Sequence, residues 1–123
     1  MALSNLGVQY REVGRRNDAV ELTERAVAMY EQLAASNPAF TGDLAMALNN
    51  LGNRYTGVGR YVDDVEPTER AVNIYRELAA ANPAFLNSLV TALNNLSVRY
   101  DQVGRAGDAQ AARTEAEAAM PTM

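Results

Sequence analysis

Leu44, Leu48, Leu51, Tyr55 and Val58 follow one another at steps of four, three, four and three residues. That spacing is one stripe of an α-helix, because residues three and four apart share a face. Gly59 comes directly after the stripe, and glycine takes up the left-handed conformation that ends a helix at little cost. A second apolar side, carried by Val65, Val72, Tyr75, Leu78 and Ala79, predicts a helix over about 61–81. Asp63, Asp64 and Glu66 crowd its first turn, where the helix dipole favours anions. Asn82-Pro83 ends it, since the residue before a proline avoids the helical region. Phe85 then precedes the next stripe, placed to staple that helix's first turn.

The same pattern occurs three times. Ala2-Leu3-Ser4-Asn5-Leu6-Gly7 returns as Ala47-Leu48-Asn49-Asn50-Leu51-Gly52 and again as Ala92-Leu93-Asn94-Asn95-Leu96-Ser97, a period of 45 residues. Tyr10, Tyr55 and Tyr100 obey it, as do Gly14-Arg15, Gly59-Arg60 and Gly104-Arg105. So do Asn37-Pro38-Ala39-Phe40 and Asn82-Pro83-Ala84-Phe85. About 26 of 45 positions are identical between the first two units. Such periodicity marks a repeat architecture. The expected fold is all-α, an α-solenoid of antiparallel helix pairs: three units of about 1–46, 47–91 and 92–123 in one domain spanning 1–123. Six helices are predicted, at about 2–13, 16–36, 42–58, 61–81, 86–103 and 106–119. Short loops make neighbours antiparallel, and stacking buries stripes that a single pair cannot. Leu6, Leu51, Leu96, Tyr55, Ala26 and Ala71 are expected between helices.

Leu51-Gly52, Tyr55, Gly59, Tyr61 and Ala71 fall at the spacings of the tetratricopeptide repeat, which the chain resembles over essentially its whole length. That repeat is about 34 residues long. The surplus here lies in the second helix and the loop after it, as in the long variety found in kinesin light chains and many bacterial repeat proteins. Leu44-Ala45-Met46-Ala47-Leu48-Asn49-Asn50-Leu51 and Glu66-Pro67 look like that variety in particular. A HEAT-like array, with a period of about 40–47, is the alternative; the Gly-Arg turn and the Leu-Gly…Tyr spacing favour the first.

Two positions depart from the resemblance. Asp64 stands where Ala19 and Ala109 place a small residue, and a carboxylate there is expected to loosen the second pair. In the third unit Glu117-Ala118-Ala119-Met120 replaces the Val27-Ala28-Met29-Tyr30 stripe. Pro67 either bends a helix that starts near Tyr61 or marks a later start near Glu66.

Composition narrows the chemistry. The chain has 123 residues, no Cys and no His. Disulfides, thiolate nucleophiles, imidazole bases and the commonest zinc ligands are therefore excluded. The four serines have no base, and no Gly-rich phosphate loop occurs, so no catalytic residue, cofactor or metal is assigned. All eleven cations are Arg, a usage common in GC-rich bacterial genomes. Net charge is −4 with both signs mixed, which argues against nucleic acid as a partner. Apolar runs fall far short of the roughly 18 residues that read as a membrane span, and the first ten residues lack the basic region of a signal peptide. A cytoplasmic location is expected.

The resemblance implies a protein or peptide partner bound on the concave face. It places Asn49, Asn50 and Asn53 of the second unit, Asn94 and Asn95 of the third, and Asn5 with Ser4 of the first on that wall. An amide both donates and accepts, so it suits a peptide backbone. The opposing reading is that these amides bond one another and set the repeat geometry. Arg11, Arg54 and Arg99 lie one turn beyond and can clamp a carboxylate. Asp63, Asp64, Glu66 and Glu69 lack the spacing of a calcium loop and read as helix-start charge. The first unit has no counterpart of Phe40–Met46. Either the array continues in a longer chain or a second copy covers its ends, making a homo-oligomer by end stacking or helix exchange.

Overall fold

In the computed structural model, residues 2–120 are described, with side chains from Glu12 onward. Five α-helices follow one another: α1 (Ala2–Ser36), α2 (Thr41–Gly57), α3 (Val65–Ala81), α4 (Leu86–Gln102) and α5 (Ala106–Ala119). Single 3-10 turns at Pro38–Phe40 and Pro83–Phe85 lead into α2 and α4. No strand occurs among the described residues. Each helix packs on the next in the chain, giving the α-solenoid that the period implies.

The turns work as the sequence dictates. Gly59 and Gly104 take φ of 77° and 79°. Arg60 N–H reaches back to the Tyr55 carbonyl (2.8 Å) and Gly59 N–H to that of Thr56 (3.0 Å). The third unit repeats this with Arg105, Tyr100, Gly104 and Asp101. Both are the paired backbone bonds of a glycine-ended helix. Arg60 and Arg105 then lie over the rings of Tyr55 and Tyr100, 4.3 and 4.4 Å from their centroids. At Asn37 and Asn82 the side chain accepts from the N–H two residues on, at 3.0 Å, and the following proline starts the 3-10 turn.

Two expected boundaries are corrected. The helices expected at 2–13 and 16–36 form one continuous helix, so five stand where six were expected. Val13-Gly14-Arg15 has the same residues as the two turns, yet Gly14 has no positive φ. Glycine permits a turn without compelling one, at a cost inside a helix of only about 1 kcal/mol. The turn must be held by packing, and residues 12–18 of α1 are exposed. The second correction is α3, which starts at Val65 rather than Tyr61. Pro67 has no N–H to give to the Asp63 carbonyl, so regular helix begins just ahead of it and the proline falls in the first turn, where N–H groups have no partner anyway.

The core runs along the stack through Leu44, Leu48, Leu51, Tyr55, Leu89, Leu93, Leu96 and Tyr100, joined by Val20 and Val27 of α1, Val72 and Tyr75 of α3, and the alanines Ala109, Ala112 and Ala116 of α5. Leu51, Leu96, Tyr55 and Ala71 are buried as expected. Ala26 is only half-buried; Leu6 lies outside the described side chains. Small residues replace the larger stripe in α5, so it approaches α4 through alanine.

Gly52 lets α2 approach α3 closely. A methyl group there would collide with Thr68 Oγ1 and stand 3.3 Å from the Asp64 carbonyl oxygen. Thr68 cannot swing away, because its hydroxyl donates to that carbonyl at 2.8 Å. Gly52→Ala is expected to destabilise by roughly 1–3 kcal/mol, the usual cost of overpacking, despite alanine's better helix propensity. Urea unfolding tests this; an unchanged or higher midpoint would show that α3 can retreat.

Candidate functional site

Helices α2 and α4 carry most of the residues singled out by sequence. Asn95 Nδ2 donates to Asn49 Oδ1 at 3.3 Å, and Arg99 Nη2 donates to Asn53 Oδ1. These bonds tie the second unit to the third. They leave opposite halves of two amides unused: Asn53 keeps its NH₂, and Asn95 keeps its carbonyl oxygen. Both line one depression of about 200 Å³ with Thr56, Val98, Arg99 and Gln102. Val98 is 56% exposed there, an apolar side chain beside two polar ones. Asn94 is exposed on the same helix.

Asn50 and Arg54 stand apart from this cleft. Both are exposed and line a second depression of about 260 Å³ between α1 and α2. Asn5 and Arg11 fall outside the described side chains. The structure thus separates Arg54 from Arg99, although they are repeat equivalents. Arg54 is exposed; Arg99 is buried.

Beneath the cleft lies a buried polar cluster that sequence reasoning missed. Asp64 is fully buried and Arg99 is 4% exposed. Thr56 Oγ1 donates to Asp64 Oδ2 at 2.5 Å, and Arg99 Nε stands 3.8 Å from the same oxygen. Asp64 Oδ1 and Arg99 Nε make no hydrogen bond. Burial pushes the Asp64 carboxyl above the usual carboxylate range, opposed by the Thr56 hydroxyl and by Arg99. Burial likewise lowers Arg99, opposed by Asp64. Three of the acidic residues are engaged within the chain. Asp63 pairs with Arg60 at 2.8 Å, Glu69 accepts from Tyr100, and Asp64 faces Arg99. No cluster suited to a metal occurs among the described residues.

Two further links repeat with the period. Tyr55 donates to Glu24 at 2.6 Å and Tyr100 to Glu69 at 2.5 Å, each from a unit's first helix to the preceding unit's second. Arg70 pairs with Glu31, and Arg76 with Glu115. Positions 31 and 76 are equivalent, as are 70 and 115, so the same contact is made with its charges reversed. That complementarity was legible in the sequence as opposite signs at equivalent positions.

Tyr55 and Tyr100 are both pushed up to about 12, by burial first and then by the carboxylates they bond. The unfolded phenols ionise near 10. A group raised on folding supports the fold below its unfolded value and loses that support as pH climbs through the folded one. Stability is therefore expected to hold up to about pH 10 and to fall between 10 and 12. Urea midpoints measured from pH 8 to 12 check this; a flat profile above pH 10 would contradict it.

The family model of the tetratricopeptide repeat matches residues 1–37 and 44–82, more than half of the chain. The chain belongs to the tetratricopeptide repeat family. Tetratricopeptide repeats are generally protein–protein interaction modules, typically non-enzymatic. Neither a curated protein nor a solved structure matches this tetratricopeptide chain. Among its described residues no helix is long and apolar enough to cross a membrane.

Proposed function

We propose that the protein is a scaffold that binds an extended or helical segment of a partner polypeptide on its concave face. The surface comprises Asn49, Asn50, Asn53, Arg54, Asn94, Asn95 and Arg99, with Asn5 as the equivalent in the first unit. The single observation that supports this most is the cleft between α2 and α4. One peptide unit presents one acceptor and one donor. The unused NH₂ of Asn53 suits the acceptor and the unused oxygen of Asn95 suits the donor, in one depression beside exposed Val98. Backbone recognition of this kind is tolerant of the ligand's sequence. Arg99 serves mainly to hold Asn53, and Arg54 adds a preference for acidic ligands. The 45-residue period supports a place in the long-repeat variety similar to kinesin light chains and bacterial tandem repeat proteins, and a cytoplasmic setting suits a chain without cysteine.

Asn53→Asp tests the reading. The carboxylate keeps the acceptor for Arg99 and removes the NH₂ donor. Against a peptide selected from a random library on the native chain, affinity should fall at least tenfold with the melting temperature kept or raised. Tenfold is about 1.4 kcal/mol, in line with one lost hydrogen bond of ~0.5–1.5 kcal/mol together with the added charge. Undiminished affinity would return Asn53 to a purely structural role.

A second reading is favoured by the depression between α1 and α2: self-association, in which one copy's repeats complete another's. Homo-oligomerisation through array ends or helix exchange is the form it takes here.

A further inference from the structure

The cleft at Asn53 and Asn95 continues toward the other end of α2 and α4. Asn95 bonds Asn49 and Arg99 bonds Asn53, both across 46 positions, so the two helices run parallel. The same offset sets Gln102 with Thr56 at one end and Ser88 with Gly42 at the other. Between these ends, Asn49, Ser88 and Thr91 line a depression of about 220 Å³. It shares Tyr75 and Ser88 with a larger one of about 480 Å³. The three depressions thus follow one another as a groove along α2 and α4.

The two ends differ in chemistry. The Asn53–Asn95 end is polar apart from Val98. The far end is apolar, lined by Met46, Tyr75, Leu78 and Phe85. Met46 is 53% exposed there, and Leu78 and Phe85 are half-buried. Gly42 keeps this end open. A Cβ on it would stand 3.5 Å from the Phe85 ring and 4.0 Å from Leu78, at ordinary contact, so a longer side chain would reach into the space. Its repeat equivalent is Asn87. Asp43 joins the lining, half-buried, and forms no ion pair among the described residues.

The unused amide groups also select the ligand's conformation. Inside an α-helix each backbone N–H and C=O is taken by the helix itself, which leaves nothing for the Asn53 NH₂ and the Asn95 oxygen. An extended segment keeps both groups of each residue free. Met46 precedes Asn53 by seven residues, as Ser88 does Asn95, which is about 10 Å of helix. An extended chain spans that distance in about three residues, and reaches the level of Gly42 in about five.

Resting on the α2–α4 reading, we propose that the far end of the groove anchors an aromatic side chain flanked by Lys or Arg. An extended partner segment carries it, about three to five residues from the gripped peptide unit. The rings of Tyr75 and Phe85 offer it stacked or edge-to-face contacts, and the Met46 thioether a further one. Asp43 meets the basic neighbour.

Nine-residue random peptides selected on the native full chain test this. The expected peptides carry an aromatic residue next to Lys or Arg. Replacing that aromatic by Ala should weaken binding at least tenfold, the effect of burying one large apolar side chain. Gly42→Leu fills the site. It should bind the unsubstituted peptide at least tenfold more weakly and hardly distinguish it from its Ala version. Asp43→Asn should lose about two- to fivefold for the basic peptide and nothing once Ala replaces the Lys or Arg. Melting curves of both variants check folding. Should Gly42→Leu unfold, Asp43→Asn and the Ala-substituted peptides decide alone. Equal affinity of the native chain and Gly42→Leu for one peptide would overturn the anchor, and if Asn53→Asp still weakens that peptide the grip stands. Unchanged binding by Asp43→Asn would remove the basic flank. A peptide indifferent to both Gly42→Leu and Asn53→Asp, or no peptide selected at all, would sink anchor and grip together.

Discussion

Asp64→Ala is expected to destabilise the protein by about 3–5 kcal/mol, the cost of leaving one member of a buried ion pair alone. The sequence points the other way: a carboxylate at a site where Ala19 and Ala109 are small should be a misfit, and alanine should relieve it. The structure supplies what the repeat pattern hides. Arg99 is 4% exposed and its guanidinium faces Asp64. Thr56 donates to the same carboxylate oxygen. Alanine would leave Arg99 charged in a site that water barely reaches, against a total stability of roughly 5–15 kcal/mol for a domain of this size. The pair itself need not be favourable, since its desolvation is costly and two of its atoms make no hydrogen bond. Asp64→Ala combined with Arg99→Leu should therefore recover most of the loss. Guanidinium unfolding of the single and double variants decides it. A single variant more stable than the native chain would mean that Arg99 escapes to solvent when its partner is removed.

Leu51→Ala carries the other large effect. Leu51 is 7% exposed in the core between helices, and truncating a core leucine costs about 2–5 kcal/mol, more where neighbours cannot close the gap. Gly52 already sets α2 against Thr68 without slack, so collapse is limited and the upper half of that range is expected. A repeat array couples through neighbouring units, and the loss should appear as one lowered transition, not as separate melting of one unit. A change below about 0.5 kcal/mol, read from urea midpoints, would place the α2 stripe on the wrong side.

The fold was legible because its signals are local and repeated. The stripe Leu44–Leu48–Leu51–Tyr55, the stop at Asn82-Pro83 and the left-handed Gly59 and Gly104 each follow from a few adjacent residues. Gly14 shows the limit: identical neighbours give a turn twice and a continuous helix once, because packing on the turn's far side decides. The α3 start was fixed by Pro67, and sequence held both alternatives open. At the candidate site, the amides could be picked out by type and period. Their partners could not, since Asn53 meets Arg99 and Asn49 meets Asn95 46 residues apart. A strict 45-residue register brings no signal for such offset contacts. For the same reason nothing in the sequence links Asp64, the departure at a small-residue site, to Arg99, the candidate carboxylate clamp.

We propose that a partner polypeptide is gripped between α2 and α4. This is tested most directly by following the side-chain amide NMR signals of the asparagines while a library-selected peptide is titrated into the full chain. The NH₂ signals of Asn53 and Asn95 and the methyl groups of Val98 should shift together and saturate with the binding isotherm. Saturation of binding with these signals unmoved, and shifts confined to α5 or to the outer sides of α1 and α3, would contradict it.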